Sequence, residues 1–224
     1  MNGIVGLTKL LLKSPLSEQQ QKYAESVKQN AEELLVVFND LFDFSKLKEG
    51  RSKVKKLPFD LSNLFYNLHH TYKPISIRKN IELVSTIDDE IHTILIGDAN
   101  KLNQVLMNLI SNAFKFTESG KICFAADLVN EKATECIIRF SVTDTGLGIQ
   151  SSKLQNIFES FTQVNSDSSR KHGGLGLGLS IVKDLLALMN SQIQLESVYE
   201  KGSSFSFELS FEKIKFKNFE GHSK

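Results

Sequence analysis

Only two cysteines occur in the 224 residues, Cys123 and Cys136. That is too few, and too widely spaced, for a disulfide framework or a thiolate metal cluster. Both fall in strand-like runs and read as small apolar packers of a reducing compartment. No apolar run reaches the 18 residues a membrane-spanning helix needs. The opening "MNGIV" has neither a basic stretch nor a small-residue cleavage site, so this stretch is not expected to be a signal peptide. An excess of one charge is missing as well. With 27 basic and 26 acidic residues the formal net charge is +1, so neither a polycationic nucleic-acid surface nor an acidic tail is present. Proline appears three times, at Pro15, Pro58 and Pro74, and each marks a change in the pattern around it.

What remains is ordinary globular material, 41% hydrophobic and 24% charged, long enough for one large or two modest domains. In the opening, Ile4, Val5, Leu7, Leu10 and Leu11 recur at helical spacing, with only Asn2 available as a cap. Ser14-Pro15 ends that helix. Ser17 caps the next, with Gln20 as its capping-box partner. Along the second helix Ala24, Val27, Ala31, Leu34, Phe38 and Leu41 form a heptad seam. A hairpin with one seam buries little alone, so pairing with a second copy in a four-helix bundle is expected. Packing of the hairpin on the rest of the chain is the alternative.

Beyond Pro58 helices and strands alternate. A helix with Leu64, Phe65 and Leu68 on one face is expected to kink or end at Pro74. The run "IELVSTI" reads as a strand, and Asp98 caps a periodic helix through Phe116. "KICFAADL" and "ECIIRFSVTD" read as strands around a polar turn. "SSKLQNIFESF" reads as a short helix, and "LGLGLSIVKDLLALMN" as a helix with a glycine-rich start. "QIQLESV" and "SSFSFELSF" make a closing hairpin around "YEKG". Without a regular strand–helix–strand period, the fold class is α+β: a helical hairpin followed by an α/β sandwich rather than a doubly wound parallel sheet. The expected boundaries are 1–50 for the hairpin, 51–57 for a linker, 58–213 for the sandwich and 214–224 for a tail.

Three stretches carry residues suited to chemistry. In "NQVLMNLISNAFKFT", Asn108, Asn112 and Lys115 fall within about 60° of one another around the helix, beside the apolar arc. Amide oxygens can ligate Mg²⁺, and a lysine one turn on can meet a phosphate. Taken alone, a polar helix edge without a task is the better account of this stretch, because Asn at i and i+4 is common. In "SVTDTGLGI" a strand ends in Asp144, a carboxylate able to accept from an exocyclic amine. Gly146 and Gly148 follow, where backbone can come close to a ligand; a simple D-T-G turn is the alternative. In "HGGLGLGLSIVKDLL" four glycines lead into a helix N-terminus, which favours phosphate. The spacing is neither that of a Walker A loop nor that of a dinucleotide-binding fingerprint. The polar stretch before it carries Arg170 and Lys171, as a lid over phosphates would, or as a solvated loop would.

In order, these stretches read N-x-x-x-N-A-x-K-F-T, D-x-G-x-G-I, I-F-x-x-F and G-G-x-G-L-G-L. That series closely resembles the N, G1, F and G2 boxes of two-component sensor histidine kinases, particularly the hybrid type, and the likeness covers nearly the whole chain. The resemblance implies a Bergerat-type ATP-binding domain, shared with gyrase-like ATPases, in which helices cover one side of a mixed sheet. It implies ATP and Mg²⁺, with Asn112 as the metal ligand and Asn108 beside it. Lys115 would reach phosphate and Phe116 would wall the site. Asp144 would bind the adenine amine, with Gly146 and Gly148 shaping the pocket. Phe158 and Phe161 would anchor the lid or serve the core. Gly174, Gly176 and Gly178 would form the lid hinge and phosphate-facing backbone, with Arg170 in the lid. Leu175 stands where many relatives have threonine, and nucleotide binding is expected to survive that change.

The resemblance also implies a homodimer through the hairpin, a response-regulator receiver domain as partner, and no nucleic acid. The segment is expected to be cytoplasmic and to make no membrane contact, either free or as part of a membrane-anchored sensor. One departure stands at the front. The family's H-E-x-R-T-P, whose histidine accepts the γ-phosphoryl group, would precede "MNGI". The histidines here are His69, His70, His92, His172 and His222. None lies on the first hairpin helix, so the expectation is that the chain as written cannot be its own substrate. His69 and His70 read as surface or packing residues. Two further readings are a non-catalytic, pseudokinase-like dimer and a gyrase-like ATPase, the latter disfavoured by the hairpin.

Overall fold

The computed structural model describes residues 2–49, 52–91, 94–160 and 176–213. They fall into two compact units: residues up to 52 together with 157–181, and residues 53–156 together with those from 182 on.

In the first unit, α1 (Asn2–Leu11) and α2 (Glu18–Lys48) form the hairpin. Both bonds of the capping box at Ser17 are present. Its hydroxyl accepts from the Gln20 N–H at 3.3 Å, and its own N–H donates to the Gln20 amide oxygen at 2.9 Å. Val5 and Thr8 of α1 are buried, as are Ala24 and Ala31 of α2. The small alanines let the two backbones approach. The other seam residues stay open, with Val27 50%, Leu34 53%, Phe38 59% and Leu41 48% exposed. So two of the six seam residues are buried within the hairpin and four face outward.

The second unit is built on one seven-stranded sheet. Its elements are β1 (Leu57–Asp60), α3 (Leu61–Lys79), β2 (Ile81–Ile87), β3 (Ile94–Gly97), α4 (Ala99–Phe116), β4 (Gly120–Glu131), β5 (Glu135–Asp144), β6 (Gln194–Val198) and β7 (Gly202–Lys213). The α5 helix (Gly178–Leu188) precedes β6. Strand order is β1-β3-β7-β5-β4-β2, with β6 also paired to β7. Only β2 and β4 run parallel, so the sheet is mixed, as expected.

The sheet has one apolar face. Ile122, Phe124, Ile138, Phe140, Phe207 and Leu209 alternate along three neighbouring strands and are buried. Phe65 of α3 meets Phe124 at 5.2 Å between ring centroids, and Phe140 meets Phe207 at 5.3 Å. The opposite face is polar, with Arg139 bridging Glu208 at 2.7 Å and Thr143 bonding Ser204 at 2.9 Å. Each fully buried aromatic contributes roughly 1.5–3 kcal/mol of apolar burial.

One expectation is narrowed, one is corrected and two short strands are added. The α3 helix runs through Pro74 to Lys79, so it does not end at the proline. The carbonyl that proline leaves without a helical donor is that of His70, an exposed residue. The predicted helix at 151–161 is, over its described part, a single 3₁₀ turn at Ser151–Lys153 followed by turns. Strands β1 and β3, four residues each, had no sequence signal. The cysteines do not face each other across the β4–β5 hairpin: Cys123 lies opposite Thr143 and Cys136 opposite Glu131. Burial pushes both thiols up, which disfavours the thiolate form. Among the described residues, no helix is long and apolar enough to cross a membrane.

Candidate functional site

The α4 helix begins at Asp98, whose side chain accepts from the Lys101 N–H at 3.1 Å and from the Lys55 N–H at 2.8 Å. The Lys101 ammonium lies 3.2 Å from the same carboxylate and donates to the Lys53 carbonyl at 2.9 Å. The connecting chain at 53–55 is thereby pinned to the head of the helix. The helix buries Leu102, Val105, Leu106, Leu109, Ile110, Ala113 and Phe114. Asn108, Asn112 and Lys115 are half-buried along the border of that face, as their spacing predicts. Neither amide has a hydrogen-bond partner among the described residues, so their oxygens are uncommitted. Two such amides suit Mg²⁺, which takes oxygen ligands and keeps several waters. The Lys115 ammonium lies 5.3 Å from the Phe116 ring centroid, with no carboxylate partner among the described residues. Burial lowers its pKa. An anion arriving there would relieve that cost.

The end of α4 meets the end of β5. The Leu147 N–H donates to the Phe116 carbonyl at 3.1 Å. Asp144 is 7% exposed, and its Oδ1 accepts from the Gly146 N–H at 2.8 Å. Burial raises its pKa, and the N–H groups of Gly146 and Ser203 offset only part of that. Gly146 must be glycine, because a Cβ there would run into the Phe116 carbonyl oxygen and crowd Thr117 Oγ1 at 2.7 Å. Gly148 has φ +65°, and a Cβ on it would meet the Val198 carbonyl. The turn is tied on its far side as well. The Ile149 N–H donates to Ser197 Oγ at 2.8 Å, and Ser197 Oγ lies 3.0 Å from Ser203 Oγ.

Phe116, Asp144, Gly146 and Gly148 are thus brought into one locus, with Asn108, Asn112 and Lys115 on the same helix as Phe116. Phe158, Gly176 and Gly178 belong to the unit that holds the hairpin. Phe158 is half-buried in a turn, Gly176 has φ +71°, and Gly178 is the first residue of α5. Phe161, Arg170 and Gly174 lie outside the described residues. His69 bonds Ser85 at 3.1 Å and His70 stacks on Tyr66 at 6.1 Å between centroids, both packing roles as expected. Sequence reasoning missed Thr117, Ser197 and Ser203. Thr117 closes the quoted N-x-x-x-N-A-x-K-F-T stretch and was given no task. The serines carry no local signal, and only strand register places Ser203 beside Asp144.

Comparison with known proteins places both halves. Residues 97–213 match the model of the histidine kinase-, DNA gyrase B-, and HSP90-like ATPases, and residues 1–50 match that of the His kinase A (phospho-acceptor) domain. The chain is 38% identical over 215 residues to hybrid signal transduction histidine kinase L of Dictyostelium discoideum, covering 96% of this chain and 13% of that protein. It is 37% identical over 206 residues to the autoinducer 2 sensor kinase/phosphatase LuxQ of Vibrio parahaemolyticus, covering 92% and 24%. The sensor protein GacS of Pseudomonas syringae is 37% identical over 215 residues, with 96% and 24% covered. The chain therefore spans no more than about a quarter of these relatives. Full-length ShkA, solved in complex with AMPPNP, superposes with a TM-score of 0.77 at 30% identity, covering 95% of this chain and 43% of that one.

Proposed function

The chain belongs to the histidine kinase family, and from that premise we propose that it is the ATP-binding core of a sensor kinase. It moves the γ-phosphoryl group of Mg·ATP to a histidine, for relay to an aspartate on a response-regulator receiver domain. The buried Asp144 carboxylate, held at a strand end against a glycine turn packed too closely for any side chain, is the observation that carries this reading. Ionised Asp144 accepts from the adenine amine, and the Gly146–Gly148 turn forms the wall. Asn112, with Asn108 beside it, would hold Mg²⁺, which neutralises charge on the phosphates when bound. Lys115 adds a positive charge to the same end of the site. Phe116 walls it, and Phe158, Phe161, Arg170, Gly174, Gly176 and Gly178 are assigned to the lid. Transfer then depends on positioning and charge stabilisation. The division into hairpin 1–50, linker 51–57, ATP-binding domain 58–213 and tail 214–224 follows from the same reading.

The four outward residues of the α2 seam support homodimerisation through the hairpin. The segment works in the cytoplasm, where ATP is supplied. Residues 1–50 contain no histidine, so the accepting histidine lies outside that stretch. The same observation favours a second reading, a non-catalytic ATP-binding dimer. The two separate when the chain is incubated with Mg²⁺, γ-labelled ATP and a separate hairpin bearing an acceptor histidine. Acid-labile label on that hairpin is the expected result. Bound ATP with no labelled histidine would establish the non-catalytic reading instead.

A further inference from the structure

Thr117 follows the last residue of α4, and its N–H bonds the Ala113 carbonyl at 3.0 Å. Its side chain is fully buried, and its Oγ1 is, among the described residues, the one buried side-chain polar atom without a hydrogen-bond partner. A buried hydroxyl left unpaired is costly, and replacing it by an apolar group of the same shape relieves the cost. Its surroundings are those of the base-binding locus. Thr117 Oγ1 lies 2.7 Å, and Asp144 Oδ1 2.9 Å, from the point where a Cβ of Gly146 would stand. Because residue 146 is glycine, no side chain separates the orphaned donor from the buried acceptor.

We propose that Thr117 is a positioning residue for Asp144: its hydroxyl donates to the carboxylate when a nucleobase occupies the site, orienting it so that the remaining oxygen meets the exocyclic amine. This rests on the reading of Asp144 as the adenine acceptor. Oδ1 takes its bond from the Gly146 N–H in this structure. Approach of the threonine hydroxyl to Oδ1 would add a second donor to the same group. The charged carboxylate then gains a hydrogen bond in the bound state that it lacks here, and the threonine loses its unpaired status. Both changes favour the bound form, so Thr117 adds to nucleotide affinity without touching the base.

The test is calorimetric titration of the intact chain with ATP in excess Mg²⁺, with thermal melts alongside. Thr117→Val removes the hydroxyl and keeps the shape; it is expected to weaken ATP binding about tenfold while the melting temperature holds or rises. Thr117→Ser is expected to restore affinity to within about threefold of the parent. Parent-like affinity in Thr117→Val, while Asp144→Asn loses ATP, would overturn the role of Thr117 and leave the Asp144 reading intact. Loss of affinity together with a lowered melting temperature, unrescued by serine, would reduce Thr117 to a packing residue and overturn the proposal. If Asp144→Asn binds ATP as the parent does, the underlying reading of the site fails, and the role of Thr117 with it.

Discussion

Asp144 is held ionisable in a place that disfavours its charge. Burial lifts its pKa above the usual carboxylate range, and two backbone donors offset that only in part. Because the folded value exceeds the unfolded one, the group destabilises the fold as pH rises through the interval between them, with the full cost present above it. Asp144→Asn is therefore expected to raise the melting temperature by a few degrees at about pH 7.5 and to give no gain near pH 3. Its affinity for ATP should collapse at the same time. Parent ATP binding should weaken as the pH falls through the same interval, because a protonated carboxyl no longer accepts from the amine with a full charge; titrations across that range check it. Gly146 gives a steric counterpart. Gly146→Ala drives a Cβ at the Phe116 carbonyl and to 2.7 Å from Thr117 Oγ1, so the end of α4 and the turn must part. A stability loss of roughly 1–3 kcal/mol in urea unfolding, with ATP affinity down at least about tenfold, is expected. At this scale the site was half legible. The carboxylate and glycines stood out because their types are unusual at a strand end. Thr117 did not, since a threonine at a helix terminus has many uses until its hydroxyl is seen to lack a partner.

Among the elements, α4 was the most legible, because its cap and its 3.6-residue apolar period are local. Asp98 also does what no local pattern announces, in holding residues 53–55. Burial pushes its pKa up, but donation from the Lys55 and Lys101 N–H groups and from the Lys101 ammonium brings it below the usual range. Its stabilising effect is present above the ordinary carboxylate pKa and is lost as the pH falls through the lower folded value. Asp98→Ala should cost roughly 2–3 kcal/mol in urea unfolding at neutral pH, and less in acid. The far end of α4 is held by α3. Tyr72 donates to the Met107 carbonyl at 3.0 Å, and Lys79 to the Phe114 carbonyl at 2.6 Å. Burial pushes the Tyr72 phenol up to about 12, so it remains a donor at any ordinary pH. The α3 helix reaches far enough for the Lys79 contact only because it continues past Pro74. Of the two outcomes expected at Pro74, a kink or an end, the end does not occur, because the cost of one lost bond at an exposed turn is outweighed by burial of Phe65, Leu68 and Tyr72. Strands β1 and β3 were illegible for a related reason: four residues carry too little periodicity, and their pairing is decided by partners far along the chain.

For the molecule as a whole, the unfinished surface is the hairpin. Leu34 and Phe38 are more than half exposed on α2 while Ala24 and Ala31 on the same seam are buried. The double variant Leu34→Glu, Phe38→Glu is expected to sediment as a monomer where the parent sediments as a dimer, with ATP affinity unchanged. A dimer that persists in the variant would place the interface elsewhere. The sequence by itself determined the two-part organisation, the caps at Ser17 and Asp98, the polar border of α4 and the family, because each depends on residue types at fixed short spacings. Only the tertiary structure decided that β5 and β7 lie side by side, that Ser203 therefore donates to Asp144, and that the end of α4 closes on Gly146. Those are contacts between segments tens of residues apart. They arise when the apolar face of a mixed sheet is buried under helices, and burial of that kind has no signature in any short stretch of chain.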